Sequence, residues 1–221
     1  MTKLLLSAAL ALLPPLLAAS SSSEDFDYYY LVQQWPGAYC GTKQGCCFPD
    51  TGKPAEDFGI HGLWPQYTVC RRDASDAAAA DFDIVSATRK RDWPSLSCKN
   101  TAMDFWSHEW EKHGTCSGFD QHGYFQQSLA RKARHNLTAI LPCAGIVPSD
   151  GATYHLSSVR DAIREATGFE VTVECNRGAS GRRVGQLYQV YLCVARDWSV
   201  LINCPEPVNR QCTDKIKFPA F

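Results

Sequence analysis

Three of the six histidines in this 221-residue chain lie in two segments that are otherwise rich in aromatic and apolar residues. The first segment, Phe58–Pro65, contains His61, and the second, Phe105–Cys116, contains His108 and His113. Titratable side chains among tryptophans and phenylalanines are costly to desolvate unless they have a partner or a function. These three histidines are therefore the first candidates for acid–base chemistry.

The spacing of the second segment predicts a helix over Asp104–His113, ended by the glycine that follows. On this helix Glu109 and His113 are four residues apart, hence about 40° apart around the axis, and so are His108 and Lys112. Two imidazoles can act as base and acid in one reaction near neutral pH. Cations beside them suit an anionic centre such as a phosphodiester, where charge grows in the transition state.

A zinc site is the alternative interpretation of the helical segment. Metalloproteases with the sequence H-E-x-x-H place two histidines four residues apart, so that both reach one metal ion. Here His108 and His113 are five apart, about 140° around a helix. The spacing disfavours zinc, and we predict no metal and no cofactor; activity that survives EDTA would exclude a metalloprotease.

Cysteine content and charge narrow the class of protein. Eleven cysteines indicate an oxidising compartment, and the odd number leaves at least one thiol without an internal partner. Structural zinc sites typically contain C-x₂-C pairs, and this sequence has none, so we expect disulfides. The formal net charge of −1 excludes a protein that coats nucleic acid by counterion release.

The first 23 residues resemble a secretory signal peptide: Lys3 precedes an apolar stretch, Leu4–Ala19, that ends in small residues. A membrane anchor is the alternative, but the stretch is shorter than the ~20 residues that span a bilayer. We therefore expect residues 24–221 to form one domain that enters the secretory pathway, with no membrane association. Secretion makes Asn136, in the sequon Asn-Leu-Thr, a candidate glycosylation site.

Apolar periodicity predicts strands at both ends of the mature chain and helices in the middle. The predicted strands are 28–34, 58–64, 169–175, 187–194 and 200–204, and the predicted helices are 82–91, 104–113, 124–137 and 159–167. This order favours an α+β domain, in which helices pack on an antiparallel sheet.

Both histidine segments resemble the two active-site motifs of the ribonuclease T2 family of secreted acid endoribonucleases. The resemblance covers nearly all of the mature chain and is strongest to the plant self-incompatibility-like members. Its other motifs are VQQWP at 32–36, CCFP at 46–49, WPSLSC at 93–98, QVYLC at 189–193 and FPAF at 218–221.

The resemblance implies metal-free cleavage of single-stranded RNA through a 2′,3′-cyclic phosphate, on a ribonuclease T2-like α+β fold stapled by disulfides. His113 would take the proton of the 2′-hydroxyl, and His61 would protonate the 5′-oxygen leaving group. His108 would hold the phosphate, while Glu109 and Lys112 would stabilise the pentacoordinate transition state.

Base binding is also implied by the resemblance. Trp64 and Phe105 match positions that stack on a base, and Gln34 matches one that contacts a base. Stacking of this kind supplies ~1–3 kcal/mol per base without strict sequence reading. Packing in the core is the alternative for both aromatic side chains.

Sequence alone does not assign the cysteine pairing. The family pattern implies five bridges and leaves Cys143 unpaired; the bridges are Cys40–Cys46, Cys47–Cys98, Cys70–Cys116, Cys175–Cys212 and Cys193–Cys204. Each long-loop bridge contributes ~2–4 kcal/mol.

A catalytically silent storage or defence protein of the same fold is the alternative function. All three motif histidines are present, which favours an active enzyme. We expect a monomer that acts on RNA and binds no DNA, in an extracellular or vacuolar location.

Overall fold

We describe the protein from a computed structural model. The structure describes residues 26–66, 90–179, 181, 184–205 and 212–221. The predicted signal peptide, Cys70 and most of the predicted helix 82–91 lie outside these ranges and stay predictions. Among the described residues, no helix is both long and apolar enough to cross a membrane.

A five-stranded antiparallel sheet forms the centre of the fold, in the order β2-β1-β5-β4, with β6 pairing beside β4 on the same side of β5. A small second sheet pairs β3 with β7. The strands are β1 (Tyr28–Gln34), β2 (Gly59–Pro65), β3 (Tyr154–His155), β4 (Thr172–Asn176), β5 (Gln186–Ala195), β6 (Leu201–Ile202) and β7 (Lys215–Ile216).

Five α-helices and one short 3₁₀ helix lie wholly in the described part of the chain, and residues 90–92 are also helical. The complete helices are α1 (Pro36–Cys40), α2 (Ala102–Lys112), the 3₁₀ turn Gly114–Cys116, α3 (Gln121–Arg134), α4 (Leu137–Cys143) and α5 (Leu156–Thr167). Helices packed on an antiparallel sheet confirm the predicted α+β class.

The two faces of the sheet bury different clusters, because successive side chains of a strand point to opposite sides. From β1, Tyr29 and Leu31 join the main core, which also contains the apolar side chains of α2 and α3. Tyr30 and Val32 instead join a small cluster with Tyr191 of β5. Strand β1 is therefore apolar on both faces, and the small-cluster face also carries the candidate site.

The middle helices begin where side chains cap them. Thr101 and Asp104 form a reciprocal capping box, so α2 begins two residues before the predicted start. The predicted helix 124–137 is two helices: the side chain of Asp120 caps α3, the helix ends at His135, and Asn136 caps α4. Asn136 is exposed, and its glycosylation stays a prediction.

Four disulfides link described cysteines, and each is one of the pairs that the resemblance implies: Cys40–Cys46, Cys47–Cys98, Cys175–Cys212 and Cys193–Cys204. Cys143 is exposed and carries a free thiol. The fifth pair cannot be described, because Cys70 lies outside the described residues.

Candidate active site

His61 lies at an irregularity in the sheet. Strand β1 pairs Val32 with Gly62 and the next residue, Gln33, with Ile60, so the register skips His61. A bulge of this kind re-aims the side chain of the extra residue. The indole N–H of Trp93 donates to the backbone carbonyl of His61 at 2.9 Å and holds the bulge in place.

Helix α2 places Glu109 against strand β2, which carries His61. His113 is the C-cap residue of α2. The Tyr124 hydroxyl ties the elements together: it donates to the carbonyl of Leu63 at 3.0 Å and lies 3.4 Å from the carbonyl of Glu109. Gly62 allows the close approach, because a Cβ atom there would lie 2.1 Å from Glu109 Oε2.

Trp64 contacts both candidate catalytic histidines. Its ring stacks on His113, with centroids 5.3 Å apart and an interplanar angle of 30°, and meets the edge of His61 at 4.9 Å. Its indole nitrogen donates to Glu109 Oε2 at 2.8 Å. One indole therefore fixes the positions of both imidazoles and of the buried carboxylate.

Burial makes both imidazoles resist protonation. Desolvation lowers the pKa of His113 to about 3, assisted by the positive charges of Lys112 and His108. Desolvation also lowers the pKa of His61 to about 4, and the same two cations act in the same direction. An anionic phosphate at this site would reverse both effects of charge.

The carboxyl of Glu109 is only 2% exposed, and burial raises its pKa to about 7. The hydrogen bond from Trp64 and the charge of Lys112 oppose this rise. At mildly acidic pH, Glu109 is therefore mostly protonated and can donate a hydrogen bond. The exposed Lys112 and His108 lie on the same helix and keep the site cationic.

Three polar side chains of strands β1 and β5 form a hydrogen-bonded group beside His61: Gln34, Gln189 and Tyr191. Gln189 Nε2 lies 2.7 Å from His61 Nδ1 and 3.1 Å from Gln34 Oε1. The hydroxyl of Tyr191 lies 3.0 Å from the other end of the Gln189 amide. Gln34 thus lies within one hydrogen bond of the group that contacts the histidine.

The structure brings the predicted side chains into one neighbourhood. Phe105 is half-buried, packs against the main core and has its ring centroid 5.9 Å from that of His61. Gln189 and Tyr191 were missed as site residues, although they belong to the QVYLC motif, because nothing in that motif by itself titrates near neutral pH. Gly62 was missed because its role is to leave space.

Among the described ranges, no group of three histidine, cysteine, aspartate or glutamate side chains is placed to share one metal ion.

Comparison with known proteins agrees with this geometry. The sequence model of the Ribonuclease T2 family matches residues 26–204. The chain belongs to the ribonuclease T2 family. "Ribonuclease 1" of Arabidopsis thaliana is 50% identical over 202 residues, which cover 88% of this chain and 86% of the relative. "Intracellular ribonuclease LX" of Solanum lycopersicum is 46% identical over 88% of this chain and 84% of the relative.

A solved structure shows the same fold. The crystal structure of RNase NT in complex with 5′-AMP matches with a TM-score of 0.81 and 44% identity, over 89% of this chain and all of that one. Together with the named relatives, this match shows that the chain is a T2-type ribonuclease.

Proposed function

We propose that this T2-type enzyme cleaves single-stranded RNA by transphosphorylation, through a 2′,3′-cyclic phosphate, with two histidines and no metal ion. The observation that carries the proposal is that His61 and His113 both contact the ring of Trp64, whose indole N–H also holds the buried carboxyl of Glu109. A base and an acid on opposite sides of a phosphodiester suit an in-line displacement, in which the attacking and leaving oxygens also lie on opposite sides.

The neutral imidazole of His113 takes the proton of the 2′-hydroxyl, and the 2′-oxygen then attacks phosphorus. His61, protonated, gives its proton to the departing 5′-oxygen as the P–O5′ bond breaks. The products are a 2′,3′-cyclic phosphate and a free 5′-hydroxyl, and the net proton count is unchanged. The low pKa of His113 supports its role as a base that is neutral below pH 7.

Glu109, Lys112 and His108 stabilise the phosphoryl oxygens. A protonated Glu109 donates a hydrogen bond to the developing charge, whereas an ionised carboxylate would repel it. Its pKa of about 7 supports this role at acidic pH. Lys112 and His108 contribute positive charge from the exposed side of α2, and His108 holds the phosphate.

Base binding falls to Phe105, Gln34 and Trp64. The half-buried Phe105 lies beside His61, where a base next to the reacting phosphate would lie. His113 stacks on Trp64, so that ring has less surface for a base than the resemblance implies. We therefore assign Trp64 mainly to spacing the two histidines and holding Glu109.

The proposal extends to location and assembly. The N-terminal apolar stretch 4–19 supports entry into the secretory pathway, and the disulfides support an oxidising compartment. The mature protein, residues 24–221, acts as a monomeric ribonuclease domain in the extracellular space or the vacuole. It binds neither DNA nor membranes.

The test replaces the base while keeping its packing. His113→Phe preserves an aromatic ring on Trp64 but has no proton acceptor, so we expect kcat on single-stranded RNA to fall at least about 10²-fold. His122→Phe, at an exposed histidine of α3, is the matched control and should retain full activity. Wild-type activity in His113→Phe, with the native circular dichroism spectrum, would refute the mechanism.

A further inference from the structure

A chain of polar side chains runs from His61 along one face of the sheet to Glu174. Gln189 contacts His61 Nδ1 at 2.7 Å, and Tyr191 Oη lies 3.0 Å from the other end of the Gln189 amide. Tyr191 also hydrogen-bonds the carboxylate of Glu174. Gln189 is 2% exposed and Tyr191 5% exposed, so water cannot easily replace these contacts.

Counting protons decides how the chain is connected. The Tyr191 hydroxyl has one proton, but two of its neighbours, Gln189 Oε1 and the Glu174 carboxylate, are both placed to accept it. A hydrogen bond to an ionised carboxylate is about twice as strong as one to a neutral amide. Tyr191 therefore donates to Glu174 and turns a lone pair toward Gln189.

A lone pair on Tyr191 requires the amide nitrogen of Gln189 to face it. A half-turn of the Gln189 amide exchanges its nitrogen and oxygen at no cost in space. The amide oxygen then faces His61 and accepts a hydrogen bond from Nδ1–H. The hydrogen bond that Gln189 Nε2 donates to Gln34 Oε1 at 3.1 Å reverses with it: if the Gln34 amide also turns, its nitrogen donates to the Gln189 oxygen.

We propose that Gln189, Tyr191 and Glu174 are positioning residues that keep a proton on Nδ1 of His61 and thereby leave Nε2 to deliver the catalytic proton. This inference rests on the proposed function, in which His61 is the acid. During cleavage the Nε2 proton goes to the 5′-oxygen, and the Nδ1 proton stays in its hydrogen bond with Gln189.

The surroundings of His61 explain why such a chain is needed. Desolvation and the charges of Lys112 and His108 lower its pKa, and His113 contacts the same indole ring as His61. The contact with Gln189 raises the pKa. Glu174, through Tyr191, supplies the negative charge that favours an imidazolium.

The experiment removes the Tyr191 hydroxyl and reads the protons of His61 directly. In Tyr191→Phe, ¹⁵N NMR of the His61 ring should show its pKa lowered by about one unit, which is a tenfold loss of the protonated form. The alkaline limb of the kcat profile should move down by the same amount, so that kcat falls about tenfold on that limb, while KM stays unchanged.

Two further variants serve as a control and as a test of the charge of Glu174. Tyr30→Phe removes a hydroxyl from the neighbouring ring of the same small cluster, 5.2 Å away, and should leave His61 unchanged. Glu174→Gln keeps the shape of the chain but removes its charge, and should move the His61 pKa in the same direction by less.

The outcomes are distinct. An Nδ1 of wild-type His61 that carries no proton when the ring is neutral, or an unchanged His61 pKa in a folded Tyr191→Phe, would overturn the chain even if RNA is cleaved as proposed. Failure of the wild-type enzyme to form a cyclic phosphate would instead refute the proposed function, while the NMR measurement would still test the chain.

Discussion

The buried carboxyl of Glu109, which accepts a hydrogen bond from Trp64, is costly to ionise. Glu109 is buried, and the indole N–H of Trp64 donates to its carboxyl at 2.8 Å. Ionising such a carboxyl costs free energy, because water no longer solvates the charge. The pKa of about 7 expresses this cost.

We therefore expect Glu109→Gln to stabilise the protein at alkaline pH while reducing its activity. The folded-state pKa lies above the ordinary value of 4.5, so the carboxyl favours folding below pH 4.5 and loses that contribution as pH rises through 7. At pH 8 the variant should gain about 3 kcal/mol in its free energy of unfolding, measured with urea and compared with pH 4. A difference that does not change with pH would contradict this account.

Spacing was enough to predict the residues of α2, because a helix fixes which side chains share a face. Glu109 with His113, and His108 with Lys112, follow from four-residue spacing alone. Gln189 could not be found this way, since it is 128 residues from His61 and only strand pairing brings them together.

At the scale of elements, the close contact between β2 and α2 depends on one glycine. A Cβ atom at Gly62 would lie 2.1 Å from both Glu109 Oε2 and Trp64 Nε1. These atoms belong to the buried pair that the site needs, so neither can move away without breaking the hydrogen bond.

We expect Gly62→Ala to separate Trp64 from Glu109, lower kcat at least about tenfold and destabilise the fold by about 1–3 kcal/mol through overpacking. Kinetics on RNA and thermal unfolding measure both effects. Gly151→Ala is the matched control, because the nearest atom to a Cβ there is 4.0 Å away. Equal behaviour of the two variants would show that the close approach has no role.

The elements themselves were predicted unequally. The strand at 28–34 and the end of the helix before Gly168 agree with the structure, because alternation and a left-handed glycine are local features. The short helices α1 and α4 were missed, since five and seven residues are too few to show a periodic pattern. Tertiary packing supplies what such short helices lack.

At the scale of the whole molecule, a net charge of −1 is compatible with an RNA substrate, because Lys112 and His108 supply positive charge locally at the site. Lys112, His108 and the two flanking histidines face one small region. An enzyme that must release its product needs local attraction to one phosphate, not a basic surface that holds RNA along its length.

The central claim is metal-free transphosphorylation by two histidines. The most direct measurement is product analysis of a defined single-stranded RNA, digested at mildly acidic pH in excess EDTA by the wild-type enzyme and by His113→Phe. The account predicts a 2′,3′-cyclic phosphate and a 5′-hydroxyl from the wild-type enzyme, and neither from the variant. Activity lost in EDTA, or 5′-phosphate products without a cyclic intermediate, would contradict it.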